Sequence, residues 1–153
     1  MTEIPRDQLV RWRRLAEEAA GIAAEEALRR FKDRSFEVEV KDTQDFVSAV
    51  DRDCERLIQA HLAAGAPGLG FIGEGGERRA ADIAWVVDPI DGTSNFLRGM
   101  PYWSCVLAYV VDGITELGLT IDPIHDELFV ARRGHGATRN GETLVDIHGV
   151  DVA

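Results

Sequence analysis

The sequence predicts an α+β fold in which two N-terminal helices pack against an antiparallel β-meander. Three observations carry this. Apolar residues recur at helical spacing through residues 7–32, a second helical stretch opens at Asp51, and short β-type runs follow from Leu69 onward. The dipeptides Asp112-Gly113 and Asn140-Gly141 punctuate those runs as hairpin turns, and connections this short favour antiparallel pairing.

In the first helix, Leu9, Trp12, Leu15, Ala19, Ile22, Ala23, Ala27 and Phe31 form the expected inward stripe. Phe36, Val38 and Val40 then alternate with charged residues, the period of a half-exposed strand. The second helix turns Cys54, Leu57, Ile58, His61 and Leu62 inward and stops at Gly65, Pro67 and Gly68. Leu69–Ile72, Trp85–Val87, Tyr102–Val111, Ile114–Ile121, Glu127–Ala131, Ala137–Arg139 and Glu142–Val145 are the predicted strands.

The chain has 153 residues, 45% of them hydrophobic, which suits one domain over residues 1–153 with a single core. Cys54 and Cys105 are too few and too far apart for a disulfide framework or a zinc site, and they read as small core residues. A net charge of −10 argues against a nucleic-acid surface. No run approaches the roughly 20 apolar residues of a membrane span, and residues 1–7 lack a secretory core. A cytoplasmic location is expected.

Three segments carry chemistry: Lys41–Asp51 (KDTQDFVSAVD), Phe71–Glu74 (FIGE) and Trp85–Phe96 (WVVDPIDGTSNF). A buried strand is expected to end at Asp88, where Pro89 turns the chain out of the sheet. Asp91, three residues on, lets two carboxylates and the Ile90 carbonyl converge, a donor set that suits a hard divalent cation. Gly92 allows close backbone approach, and Thr93 opens a short helix whose first amides suit phosphate. Asp-Pro and Asp-Gly are also ordinary turn dipeptides. The chain holds its own comparison in Asp122-Pro123-Ile124-His125, which lacks the second carboxylate and the Gly-Thr pair and reads as a plain turn. His125, His135 and His148 read as loop residues, and none of the four histidines has ligand spacing.

These motifs, with ELFVARRGHGATRNG at Glu127–Gly141, resemble the inositol monophosphatase-like phosphatases over roughly Phe36 to Val145. The resemblance implies the N-terminal layer of the αβαβα sugar-phosphatase fold and a Mg²⁺-dependent, Li⁺-sensitive homodimer. The substrate implied is a small phosphorylated polyol or sugar, inositol monophosphate before others. Glu74, Asp88, the Ile90 carbonyl and Asp91 would hold Mg²⁺. Gly92 and Thr93 would bind phosphate through their amides. Thr93, oriented by Asp51 and working with Glu74, would activate the attacking water. Asp51 also reads as a helix N-cap, and Lys41 either as a loop contact near the site or as an ordinary strand-end lysine.

Two departures stand out. Gly75 and Gly76 follow Glu74 where relatives carry a second acidic residue, so weaker holding of one ion is expected unless Glu77 folds back. The family's later Trp-Asp segment is absent from residues 141–153, which predicts a partial chain with an exposed apolar sheet face. The alternative to an active phosphatase is an impaired metal-binding remnant acting through protein interaction.

Overall fold

The computed structural model describes residues 4–34, 38–42, 45–74 and 82–145. Helix α1 (Arg6–Asp33) buries Leu9, Trp12, Ala16, Ala19, Ala20, Ala23, Ala24 and Ala27. The buried face is therefore the alanine ridge, and Ile22 is 42% exposed. Leu9, Trp12, Ala19, Ala23 and Ala27 of the predicted stripe are buried, Leu15 and Phe31 pack against the core, and Ile22 alone faces outward. Arg13–Glu17 and Arg14–Glu18 pair along the outer face, and Arg30 reaches across to Asp53 at 2.8 Å. The helix ends at Arg34, whose left-handed backbone returns its N–H to the Arg30 carbonyl.

Strands β1 (Val38–Asp42) and β2 (Asp45–Ser48) form a separate antiparallel hairpin. The second of these strands has no counterpart in the sequence reading, and Phe36 lies outside the described residues. Helix α2 (Ala49–Gly65) starts two residues before Asp51, so Asp51 sits inside the first turn and is not the N-cap. Its buried stripe is Val50, Asp51, Cys54, Ile58 and Leu62. Leu57 is 38% exposed, and His61 pairs at the surface with Glu18 instead of packing inward.

The main sheet comprises β3 (Gly70–Ile72), β4 (Ile83–Asp91), β5 (Ser104–Val111), β6 (Ile114–Asp122), β7 (Glu127–Arg132), β8 (Ala137–Arg139) and β9 (Glu142–Thr143), in that order. Helix α3 (Thr93–Leu97) interrupts it between β4 and β5. From β4 onward every pair is antiparallel, as predicted. The edge pair β3–β4 is parallel, unlike the antiparallel meander predicted. Asp112-Gly113 and Asn140-Gly141 both have positive φ and make the two predicted hairpin turns.

One face of the sheet packs on the helices through Trp85, Val87, Leu107, Tyr109, Leu117 and Leu119, all buried. Trp12, Trp85 and Tyr109 form an aromatic cluster at one end. Phe31, Phe96 and Trp103 form another beneath α3. Cys54 and Cys105 are free and buried, and burial pushes the Cys54 thiol up to about 12. On the opposite face Val86 is 37% exposed, and its ladder neighbours Val106, Ala108 and Val110 are half-buried.

Candidate active site

Strand β4 does not stop at Pro89. Its ladder with β5 runs in register to Asp88 opposite Val106, slips, and resumes with Asp91 opposite Ser104. Proline cannot donate to a ladder but is tolerated at a bulge, so the chain stays in the sheet. The bulge absorbs Pro89 and Ile90, both buried, and leaves Asp91 exposed at the strand's end.

Gly92 then turns the chain with φ +92°, and a Cβ there would meet the Tyr102 carbonyl at 2.9 Å. Only glycine fits. No side chain caps α3, so its first amides are not engaged by a capping oxygen. The short helix is fixed from below. Phe96 is fully buried, and Arg34 donates to the carbonyls of Phe96 at 3.1 Å and Leu97 at 2.6 Å. Asn95 Nδ2 donates to the Tyr102 carbonyl at 2.8 Å.

Held in this way, the Thr93 hydroxyl has two acceptors. The Ile90 carbonyl lies 2.9 Å away and Asp51 Oδ1 3.4 Å away. Asp51 is only 3% exposed, the one buried charged residue among those described.

Asp88 is the unusual carboxylate. Its Oδ1 is buried and receives no hydrogen bond from any described residue. Burial, then the charges of Asp91 and Asp51, push its carboxyl up to about 6, with the Ile90 amide pulling the other way and Glu55 adding to the rise. In the second Asp-Pro-Ile copy the carboxylate is spent on its own turn. Asp122 Oδ1 accepts the N–H groups of Ile124 and His125 at 3.0 and 3.1 Å, and Oδ2 lies 2.7 Å from His125 Nδ1. The plain-turn reading of that copy agrees with this geometry.

Glu74 stands in an exposed turn after β3. Its N–H donates to Glu55 Oε2 at 3.2 Å. Lys41 lies on β1, and Gly75, Gly76 and Glu77 lie outside the described residues. Among the described residues no three Asp, Glu, His or Cys side chains cluster tightly enough to hold a metal ion. The donor chemistry nevertheless fits one. Asp88 offers a buried, unpartnered oxygen, a hard donor of the kind Mg²⁺ takes.

A profile of the inositol monophosphatase family matches residues 8–151. The chain belongs to the inositol monophosphatase family. Two family relatives illustrate the match. A Nus factor SuhB from Pseudomonas aeruginosa is 39% identical over 112 residues, 70% of this chain and 41% of its own length. An inositol-1-monophosphatase from Rhizobium meliloti is 40% identical over 114 residues, covering 72% of this chain and 43% of that protein. Among solved family structures, the Thermotoga maritima IMPase superposes with a TM-score of 0.79 at 31% identity, over 93% of this chain and 55% of that one. The suhB protein from Bartonella henselae gives 0.78 at 33% identity, over 85% and 52%. The chain thus spans about two fifths of the curated relatives' length and about half of the solved structures.

Within this family frame, Asp51, Asp88, Asp91 and Thr93 come from α2, β4 and α3 at one end of the sheet. Glu55 is the residue that sequence reasoning missed. It lies one helical turn beyond Asp51, and that spacing of four was the available signal.

Proposed function

We propose that this chain carries the cation- and phosphate-binding half of a Mg²⁺-dependent phosphomonoesterase acting on a small phosphorylated polyol or sugar, inositol monophosphate first. One observation carries the reading: Asp88 keeps a buried oxygen unpartnered while the same tripeptide at Asp122 uses its carboxylate locally. A buried charge left this way is costly, and a ligand role offsets it.

Glu74, Asp88, Asp91 and the Ile90 carbonyl are the proposed cation donors. When bound, Mg²⁺ supplies Lewis acidity and positive charge at a phosphate that an acidic chain would otherwise repel. The amides of Gly92 and Thr93 hold the phosphate oxygens. Thr93 Oγ1 takes a proton from the attacking water as its own proton passes to Asp51 Oδ1. Asp51, buried at 3% exposure, keeps that hydroxyl oriented and away from bulk solvent, and Glu74 assists from the facing loop. Lys41, on β1, is the proposed substrate contact. Family resemblance adds a cytoplasmic homodimer, with residues 1–153 forming one α+β unit. No helix among the described residues is long and apolar enough to cross a membrane.

A second reading has its own support, because several relatives bear the name Nus factor SuhB. In it the chain binds the cation without turnover and acts through another protein. Phosphate release from inositol 1-phosphate, with Asp91→Asn as control, separates the two. Mg²⁺-dependent release that disappears in the variant supports the phosphatase. Mg²⁺ binding without release supports the second reading, and neither binding nor release overturns both.

A further inference from the structure

Glu74 is the exposed member of the proposed donor set. Glu55 of α2 touches the backbone on which it stands. Its Oε2 accepts the Glu74 N–H at 3.2 Å, an ionised acceptor and hence a stronger bond than a neutral one. The bare α-carbon of Gly73 packs onto the same carboxylate, so closely that a Cβ there would collide with it. Two consecutive residues of the loop are thus seated on one side chain of α2. Glu55 is half-buried and lies four positions after Asp51, whose carboxylate faces Thr93. One helical face therefore gauges both loops, with Asp51 setting the Thr93 hydroxyl and Glu55 the Glu74 backbone.

We propose that Glu55 is a positioning residue, acting through the Glu74 amide and the Gly73 gap to hold the Glu74 carboxylate where it can bind a divalent cation. The inference rests on Glu74 being a cation donor, and its test separates the two claims. In the ¹⁵N-labelled chain, the Glu74 amide should show the downfield proton shift and slow exchange of a carboxylate-bound N–H. Glu55→Ala, which keeps the helix propensity of α2, should abolish both. Glu55→Gln, which still offers an acceptor oxygen, should keep most of them.

Mg²⁺ affinity by calorimetry should fall roughly 10- to 100-fold in Glu55→Ala and far less in Glu55→Gln. Gly73→Ala should also weaken Mg²⁺, and combined with Glu55→Ala it should cost less than the sum, because both changes break one contact. An unchanged Glu74 amide in Glu55→Ala overturns the proposal. So does a Glu55→Gln chain that binds Mg²⁺ as poorly as Glu55→Ala, which would make the carboxylate's charge the agent. If the unsubstituted chain binds no Mg²⁺, the donor assignment falls, and the amide signal still decides whether Glu55 sets the loop.

Discussion

Asp88 pays twice for its position: burial opposes its charge, and Asp91 and Asp51 repel it. Its carboxyl is raised from an ordinary value near 4 to about 6. A raised acid binds its proton more tightly in the folded chain than in the unfolded one. Stability is therefore undiminished below about pH 4 and is lost as pH climbs from there through 6. Asp88→Asn should raise the melting temperature of the metal-free chain by a few degrees near neutral pH, a gain of about 3 kcal/mol at most. The gain should vanish near pH 4, where both chains are neutral at this position. Thermal melts of the two chains across that range check it, and a gain that persists at low pH would contradict the assignment.

Sequence alone exposed Asp88 and Asp91 because a carboxylate pair three apart, next to Gly-Thr, exceeds what a turn needs. The spacing of four from Asp51 was too weak a signal to single out Glu55. A glutamate on an amphipathic helix looks like part of the solvated face, and its partner at Glu74 lies across a loop 19 residues away.

At the scale of elements, the site depends on how β4 hands over to α3. The bulge at Pro89–Ile90 and the left-handed Gly92 together aim Thr93 at Asp51. Gly92→Ala combines an unfavourable φ with a clash against the Tyr102 carbonyl, so it should lower stability by about 1–3 kcal/mol and abolish any phosphatase activity. Urea unfolding and phosphate release measure the two effects. Arg34→Ala should act more locally. It removes two hydrogen bonds to the end of α3, so amide exchange should quicken at residues 93–97 while the sheet stays protected.

The handover was only partly legible. Proline predicted that the chain would leave the sheet, and the bulge kept it in. The β1–β2 hairpin went unseen because Thr43-Gln44 carries none of the Asn-Gly or Asp-Gly chemistry that marks such turns. The later hairpins were legible because they carry it.

At the scale of the molecule, one alanine-lined helix and one mostly antiparallel sheet set the frame, and the frame was readable from periodicity. The parallel edge at β3 was not, since pairing across a long connection leaves no local pattern. Asp51, Asp88, Asp91 and Thr93 lie at one end of that frame. Two grooves flank α1 elsewhere, lined by Leu9, Leu117 and Val130 in one case and Leu28, Ile121 and Leu128 in the other, and neither includes Asp51, Asp88 or Thr93.

The central claim is that one tripeptide serves two ends in this chain, ligand at Asp88 and turn at Asp122. Thermal unfolding with and without Mg²⁺, for the native chain, Asp88→Asn and Asp122→Asn, tests it most directly. Mg²⁺ should raise the melting temperature of the native chain and of Asp122→Asn alike, since a ligand that binds only the folded state stabilises it. Asp122→Asn should start lower, having lost part of its turn, and Asp88→Asn should start higher and not respond to Mg²⁺. A Mg²⁺ response that survives in Asp88→Asn, or disappears in Asp122→Asn, would rule out Asp88 as the ligand.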